Sequence, residues 1–152
     1  MRRWLAPGLI LAAAWGLWSQ FAPISRPPGI LVKALPDQEV FLIPPPPLSL
    51  HGWTLTPLAS YTLEARILSK AHYSDDALAE LAPYDLAVGW GPMSDSRVLE
   101  HLDIAQSYRF YRWTCWSPDP PLPLKDITRH SANVHIIPAT PAVLAQVRRL
   151  RI

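Results

Sequence analysis

The chain has little cysteine and few charged side chains. Cys115 is the only cysteine among 152 residues, so no disulfide can form within one copy. Charged residues make up 17% of the chain, where about a quarter is usual. After Arg2 and Arg3, which precede a long uncharged run, the remaining 12 basic side chains are matched by 12 acidic ones. Because binding to phosphate backbones needs surplus cations, we expect no nucleic-acid partner.

Hydrophobic residues and proline are abundant instead. Hydrophobic residues make up 49% of the sequence, and seven residues are tryptophan. This apolar content excludes a polar disordered chain. The 18 prolines are more than twice the usual share of about 5%, and four of them are consecutive at residues 44–47.

The uncharged run at residues 4–25 predicts a membrane anchor. As a helix its 22 residues span about 33 Å, and a hydrocarbon core is about 30 Å thick. Trp4 lies near one end of the run and Trp18 near the other, as interfacial aromatics do. Arg2 and Arg3 indicate that the amino terminus is cytoplasmic. We therefore expect a single-pass protein of the inner (cytoplasmic) membrane, held in the lipid bilayer by residues 4–25, with its carboxyl-terminal domain in the periplasm.

A signal peptide is the alternative interpretation of the same run. Cleavage requires small residues at the cleavage site, and the obvious candidate is Ala22. Gln20 and Phe21 precede it and Pro23 follows it, which is a poor context. The sequence favours an uncleaved anchor and leaves the signal peptide open.

The rest of the chain divides into a connector at residues 26–50 and a domain at residues 51–152. Prolines interrupt the connector, and its polyproline stretch at residues 44–47 is a stiff spacer of roughly 12 Å. Two apolar stretches, residues 30–32 and 40–43, are too apolar for a free linker, so at least one of them is expected to form an edge strand.

The domain alternates between short strand and helix patterns. We therefore predict an α+β fold, with a small mixed sheet and short helices behind one amino-terminal transmembrane helix. The predicted strands are residues 61–67, 85–90, 108–116 and 134–137. The predicted helices follow Asp75, Ser94 (through Leu102) and Thr140, and a fourth covers residues 124–130.

The sequence DLAVGWGPMSD at residues 85–95 is the first candidate site. Gly89 and Gly91 flank Trp90, and Pro92 follows, so the backbone turns tightly there. As a functional site, this would be a loop in which Trp90 stacks on a ligand and Asp95 hydrogen-bonds to it. As a structural element, it would be a strand-to-helix turn with Trp90 in the core.

The sequence HSANVHIIPA at residues 130–139 is the second. His130, Ser131, Asn133 and His135 are candidate ligand-binding residues. A metal site would need further ligands, such as His101 or Asp103, so no metal and no cofactor is expected. The structural alternative makes His130 and Asn133 turn and cap residues before a strand.

Alternating aromatic and basic residues at 108–113 form the third candidate site. Arg112 and Trp113 can stack on or hydrogen-bond to a ligand. Arg109 and Arg112 would point to opposite faces of a strand, so they do not form one basic stripe.

The two motifs at residues 85–95 and 130–139 resemble those of a family of uncharacterised bacterial membrane-anchored proteins with LGWGPMSD-like and HSANxHxIPA-like sequences. The resemblance covers roughly residues 55–150. It implies a location behind an amino-terminal hydrophobic segment and brings no known activity. Relatives in that family continue into further strands, so the chain is expected to be shortened at its carboxyl end. We then expect an unpaired sheet edge, an incompletely covered last helix and marginal stability.

These observations favour a non-enzymatic function. We expect an envelope domain that binds a ligand or an envelope protein partner through a face formed by Trp90, Trp113 and residues 130–135. The alternative is a hydrolase or nuclease with His130 and His135 as acid and base and Arg112 stabilising an anion. That alternative requires the two imidazoles and Arg112 to converge in one cleft.

Overall fold

The computed structural model describes residues 24–152. Almost all of the predicted anchor, residues 4–25, lies outside this range. Within the described residues, no helix combines the length and the apolar character needed to cross a membrane.

Nine short strands and three short helices make up the described chain. The strands are β1 Asp37–Val40, β2 Leu48–Leu50, β3 Trp53–Leu55, β4 Ala59–Thr62, β5 Arg66–His72, β6 Tyr84–Gly89, β7 Leu102–Ser107, β8 Phe110–Cys115 and β9 Ser131–Ile136. The helices are α1 Ser96–Leu99, α2 Leu124–Arg129 and α3 Pro141–Arg149, with a 3-10 helix at Gly91–Ser94. The expected α+β fold of small sheets and short helices is confirmed.

The centre of the fold is an antiparallel sheet with the strand order β5-β6-β9. The middle strand, β6, is buried from Asp85 through Gly89 because both faces of the sheet are covered. On one face lies an apolar cluster around Met93 and Ile127, which is covered by the β7–β8 hairpin and by α1 and α2. On the other face Leu86, Val88 and Trp90 pack against Val32 of the connector.

An arm, residues 37–62, extends the fold. It consists of two nested antiparallel pairs, with β1 on β4 outside and β2 on β3 inside. His51 and Gly52 close the inner pair with positive φ values of 50° and 79°. All four residues of β1 are exposed. The expected edge strand at residues 30–32 or 40–43 does not form as predicted, because only Val40 of these residues lies in a strand. That strand is β1, and its partner is β4 of the same arm.

The structure corrects several predicted elements. Asp75 starts turns rather than a helix, and α1 begins after Asp95 instead of Ser94. Residues 61–67 are broken between β4 and β5. The region predicted as one central strand at residues 108–116 instead contains the β7–β8 turn, because Tyr108 and Arg109 take positive φ values of 51° and 64°.

The carboxyl-terminal helix is held by its cap and by one lysine. Thr140 caps α3 through the Val143 N–H, as predicted. Lys70 Nζ donates to the carbonyls of Arg148 and Leu150, at 3.0 and 2.6 Å, where a helix end attracts cations. On the apolar face of α3, Val147 is buried, but Val143 and Leu150 remain exposed.

Candidate functional site

The loop after β6 turns tightly because glycine is required at two positions. A Cβ on Gly89 would lie 2.5 Å from the Met93 carbonyl oxygen. Gly91 has a φ of +51°, and a Cβ there would lie 2.9 Å from the His130 ring. The loop therefore packs directly on the start of the second motif, and Trp90 N–H donates to the His130 carbonyl at 2.9 Å. The two sequence motifs form one structural unit.

The loop binds the connector, whose backbone occupies the hydrogen-bonding groups of Gly91 and Ser94. Ser94 Oγ accepts from the N–H groups of Leu31 and Val32, both at 3.0 Å, and donates to the Gly91 carbonyl. Gly91 N–H in turn donates to the Val32 carbonyl at 2.8 Å. The three hydrogen bonds to Leu31 and Val32 join residues about sixty positions apart, and Ser94 itself is buried.

Asp95 and the residues beside it complete this attachment. Its Oδ1 accepts from the Gly29 N–H at 2.8 Å and from the Arg97 N–H at 2.9 Å. The Arg97 guanidinium, the Gly29 N–H and other donors hold the pKa of Asp95 well below its usual range. Ser96 Oγ donates to the Arg26 carbonyl at 3.2 Å. We name this set the clamp, which consists of residues 26–32 and the four residues that hold them: Gly91, Ser94, Asp95 and Ser96.

Trp90 and Asp95 therefore do not form the predicted ligand loop. The Trp90 side chain is 7% exposed and packs in the core, as the structural interpretation predicted. Both Asp95 carboxylate oxygens are occupied by donors of the protein itself. The polar atoms of this loop organise the fold and are not available to a ligand.

A second polar cluster is buried under the β7–β8 turn. Asp85 is completely buried, and its Oδ1 lies 2.7 Å from His135 Nδ1 and 3.5 Å from an Arg109 guanidinium nitrogen. These are ion-pair distances, and within residues 24–152 this oxygen has no well-aligned hydrogen bond. His135 remains 51% exposed, so one edge of its ring faces solvent.

Arg109 holds this cluster together. Its guanidinium contacts Asp76 at 2.7 Å, donates to the Ala82 carbonyl at 3.0 Å and lies 4.4 Å from the centre of the Tyr73 ring. The hydrogen bonds with Arg109 lower the pKa of Asp76, and Asp76 raises the pKa of Arg109. Asn133 Nδ2 donates to the Arg109 carbonyl at 3.0 Å, which fastens the turn to β9.

The structure separates the proposed acid and base. His130 Nδ1 lies 2.8 Å from the Asp126 carbonyl oxygen at the end of α2, so His130 is a cap residue. His135 is five positions further along β9, which corresponds to about 16 Å in a strand. Arg112 donates to Ser107 Oγ at 2.7 Å in its own hairpin. Therefore, the convergence that the hydrolase alternative requires is not present.

Three other predicted residues surround a shallow depression of about 400 Å³. Arg112 and Trp113 line it together with Ser131 and Tyr111. Ser131 Oγ donates to the Ile127 carbonyl at 2.6 Å, so its hydroxyl satisfies an acceptor in the last turn of α2. Burial raises the pKa of the Tyr111 hydroxyl, and the neighbouring Ser131 partly opposes this effect. The depression brings these residues together, and the half-buried Trp113 also packs against the core cluster.

Asp85, Arg109 and Asp76 are the important residues that sequence reasoning missed. A carboxylate inside an apolar strand requires a cation nearby, and that requirement was a usable signal for Asp85. The position of Arg109 depends on the unusual turn and could not be inferred. Among the described residues, no group of three or more His, Cys, Asp or Glu side chains could hold a metal ion.

Comparison of the chain with protein-family models, with curated proteins and with solved structures gives no significant match.

Proposed function

We propose that the protein is a single-pass envelope protein that binds a partner protein through the arm. Residues 4–25 anchor it in the inner membrane, and the domain faces the periplasm. The observation that carries the proposal is the exposure of apolar side chains on the arm. Seven large apolar side chains of residues 37–62 are exposed: Val40, Leu42, Ile43, Leu48, Trp53, Leu58 and Tyr61. Leu42 is 99% exposed and Ile43 is 88% exposed.

The backbone of the arm supports the same conclusion. Strands β1 and β4 pair only with each other in the described chain, so each has an outer edge of unpaired N–H and C=O groups. A two-stranded pair is marginally stable alone. An added strand would satisfy one edge and cover apolar side chains, as in recognition by β-strand addition.

Charge indicates what kind of strand the partner offers. The arm contains Asp37 and Glu39 and has no lysine or arginine. Both acidic residues lie on β1, which is exposed throughout. A partner strand with apolar and basic side chains matches this surface. The same two carboxylates disfavour insertion of the arm into an anionic membrane surface.

In-cell photo-cross-linking tests the proposal. A photoreactive residue at Leu42 is expected to give one discrete cross-linked protein, and the same probe at the exposed Tyr108 of the β7–β8 turn is the matched control. Leu58→Asp should abolish the Leu42 product, because Leu58 is exposed on the arm and its carbonyl accepts from Phe41 N–H. Equal products from both positions, a product with a second copy of this chain, or a lipid product would contradict the proposal.

Reporter fusions test the location separately. Alkaline phosphatase fused after Ile152 should be active, since that enzyme requires export. Activity of a cytoplasm-only reporter at the same position would contradict a periplasmic domain. A mature protein that starts near residue 23 would show a cleaved signal instead of an anchor.

A further inference from the structure

A cleft of about 720 Å³ lies between the clamped segment, the start of β5 and the last residues of the chain. This volume lies within the range of about 300–1,000 Å³ that is usual for small-molecule sites. Its apolar lining includes Leu31, Ile67 and Leu150. The cleft is not lined by Asp95 of the clamp or by Asp76 and Asp85 of the buried cluster. The floor of the cleft can therefore take hydrocarbon.

Four arginines surround this apolar floor, and no aspartate or glutamate is among the lining residues that the structure describes. They are Arg26, Arg66, Arg149 and Arg151. We name this site the arginine cleft. The combination of an apolar floor and four cationic side chains fits a ligand with an anionic head and an apolar tail.

The electrostatics at Arg66 support an anionic ligand. Its guanidinium donates to the Ser94 carbonyl at 3.1 Å and to Ser96 Oγ at 2.8 Å, which are neutral acceptors. Burial lowers the pKa of Arg66, the positive charge of Arg26 lowers it further, and Asp95 raises it. Arg66 is half-buried and Arg26 beside it is exposed, and an anion between these two cations would reduce their mutual repulsion.

The position of the cleft along the chain indicates the source of the ligand. Ile24 lines it, and Ile24 belongs to the uncharged run at residues 4–25 that predicts the bilayer anchor. Ile24 N–H also donates to the Ile152 carbonyl at 2.8 Å. Because the clamp fixes residues 26–32 to the domain, a chain that leaves the bilayer near residue 25 places the cleft at the level of the lipid headgroups.

We propose that the arginine cleft binds one phospholipid whose headgroup carries a net negative charge. The phosphate lies among the arginines, and the first part of an acyl chain lies on the apolar floor. This inference rests on the membrane anchor of the proposed function and does not depend on the arm or on its partner. It assigns a second, lipid-binding site, which the clamp residues themselves help to line.

Native mass spectrometry of the full-length protein in detergent tests this proposal. The protein is titrated with phosphatidylglycerol, with phosphatidylcholine and with inorganic phosphate. The test variant is Arg26→Gln/Arg149→Gln. The control, Arg112→Gln/Arg129→Gln, removes the same charge from side chains that do not line the cleft. Arg2 and Arg3 remain in every variant, so differences between variants report on the domain.

We expect one phosphatidylglycerol to bind at least about tenfold more tightly than phosphatidylcholine. The test variant should lose about tenfold or more in this affinity, since each arginine near a lipid surface contributes about fivefold. The control should retain it. Leu31→Asp is a second variant, because it places a carboxylate on the floor without removing an arginine. Lipid-free thermal unfolding of each variant shows whether it remains folded.

Three outcomes would overturn the proposal. The first is equal binding of the two lipids by the wild-type protein. The second is an equal loss of affinity in the test and control variants, which would show general charge attraction. The third is binding of inorganic phosphate with the affinity of the lipid, which would show a site for a free anion.

Discussion

The arm, residues 37–62, differs from the rest of the described domain, which we call the body. Polar groups are buried and paired in the body, whereas apolar groups are exposed in the arm. In the body, buried polar groups such as Asp85 and Ser94 are paired with residues far away in sequence. In the arm, the strands pair only with each other and large side chains such as Leu42 point to solvent. The body therefore contains the interactions that specify its fold. The arm leaves surface and strand edges uncovered, which is the basis for proposing a partner.

Asp85→Asn should produce the largest difference in stability between a substitution in the body and a matched one in the arm. This change removes the buried carboxylate that faces Arg109 and His135, so His135 loses its partner and Arg109 keeps only Asp76. The free energy of unfolding should fall by about 3 kcal/mol or more. Urea unfolding of the full chain in detergent measures it. Asp37→Asn on the exposed β1 is the control and should change it by less than about 0.5 kcal/mol. Similar losses of unfolding free energy at both positions would contradict the proposed difference between the body and the arm.

Ser94→Ala should have the next largest effect. The N–H groups of Leu31 and Val32 would lose their acceptor inside the clamp, at a cost of about 1–3 kcal/mol. Limited proteolysis should then cut residues 26–36 faster, and urea unfolding gives the energy. Ser60→Ala, on the exposed part of the arm, is the matched change and should be neutral. If cleavage at residues 26–36 is unchanged, the clamp does not hold the connector.

The clamp should also weaken in acid. The lowered pKa of Asp95 means that its contribution to stability is complete above the unfolded-state pKa of about 3.9. That contribution is lost as pH falls through the lower pKa of the folded state. Asp95→Asn should therefore reduce the slope of unfolding free energy against pH below about 4. An unchanged slope, compared with wild type and with Asp103→Asn as control, would contradict this assignment.

Leu42→Asp should have the smallest effect on stability. Its side chain contacts little of the protein, so the free energy of unfolding should change by less than about 0.5 kcal/mol. Binding to the partner should be lost, because the new carboxylate adds to an already acidic surface that has lost an apolar side chain. Thermal unfolding and the cross-link at a neighbouring arm position measure the two effects. A large loss of stability would show that the arm is packed within this chain.

The sequence predicted the parts of the fold that depend on local pattern. The tight turn at Gly89 and Gly91, helix α2 and the Thr140 cap follow from short-range chemistry. The buried position of Trp90 was one of the two interpretations of its motif. Each of these features is determined by interactions within a few residues, so the local sequence is enough to predict it.

Long-range pairing is what the sequence could not show. The β7–β8 turn places Tyr108 and Arg109 at positive φ, which non-glycine residues rarely adopt, and tertiary contacts of Arg109 compensate for it. Ser94 was predicted as a helix cap and Asp95 as a ligand contact, because their partners, at residues 29–32, are about sixty positions away. Polar residues that serve the fold and polar residues that serve a ligand have the same appearance in sequence when their partners are unknown.

Hydrogen exchange measured on the full-length protein tests the central claim most directly. We predict that the amides of β6 and those of Leu31 and Val32 exchange slowly and together, because the clamp makes them one unit. The amides of β1 and β4 should exchange much faster in the isolated protein. Equal protection of the arm and β6 would contradict the account, as would fast exchange at Leu31 and Val32.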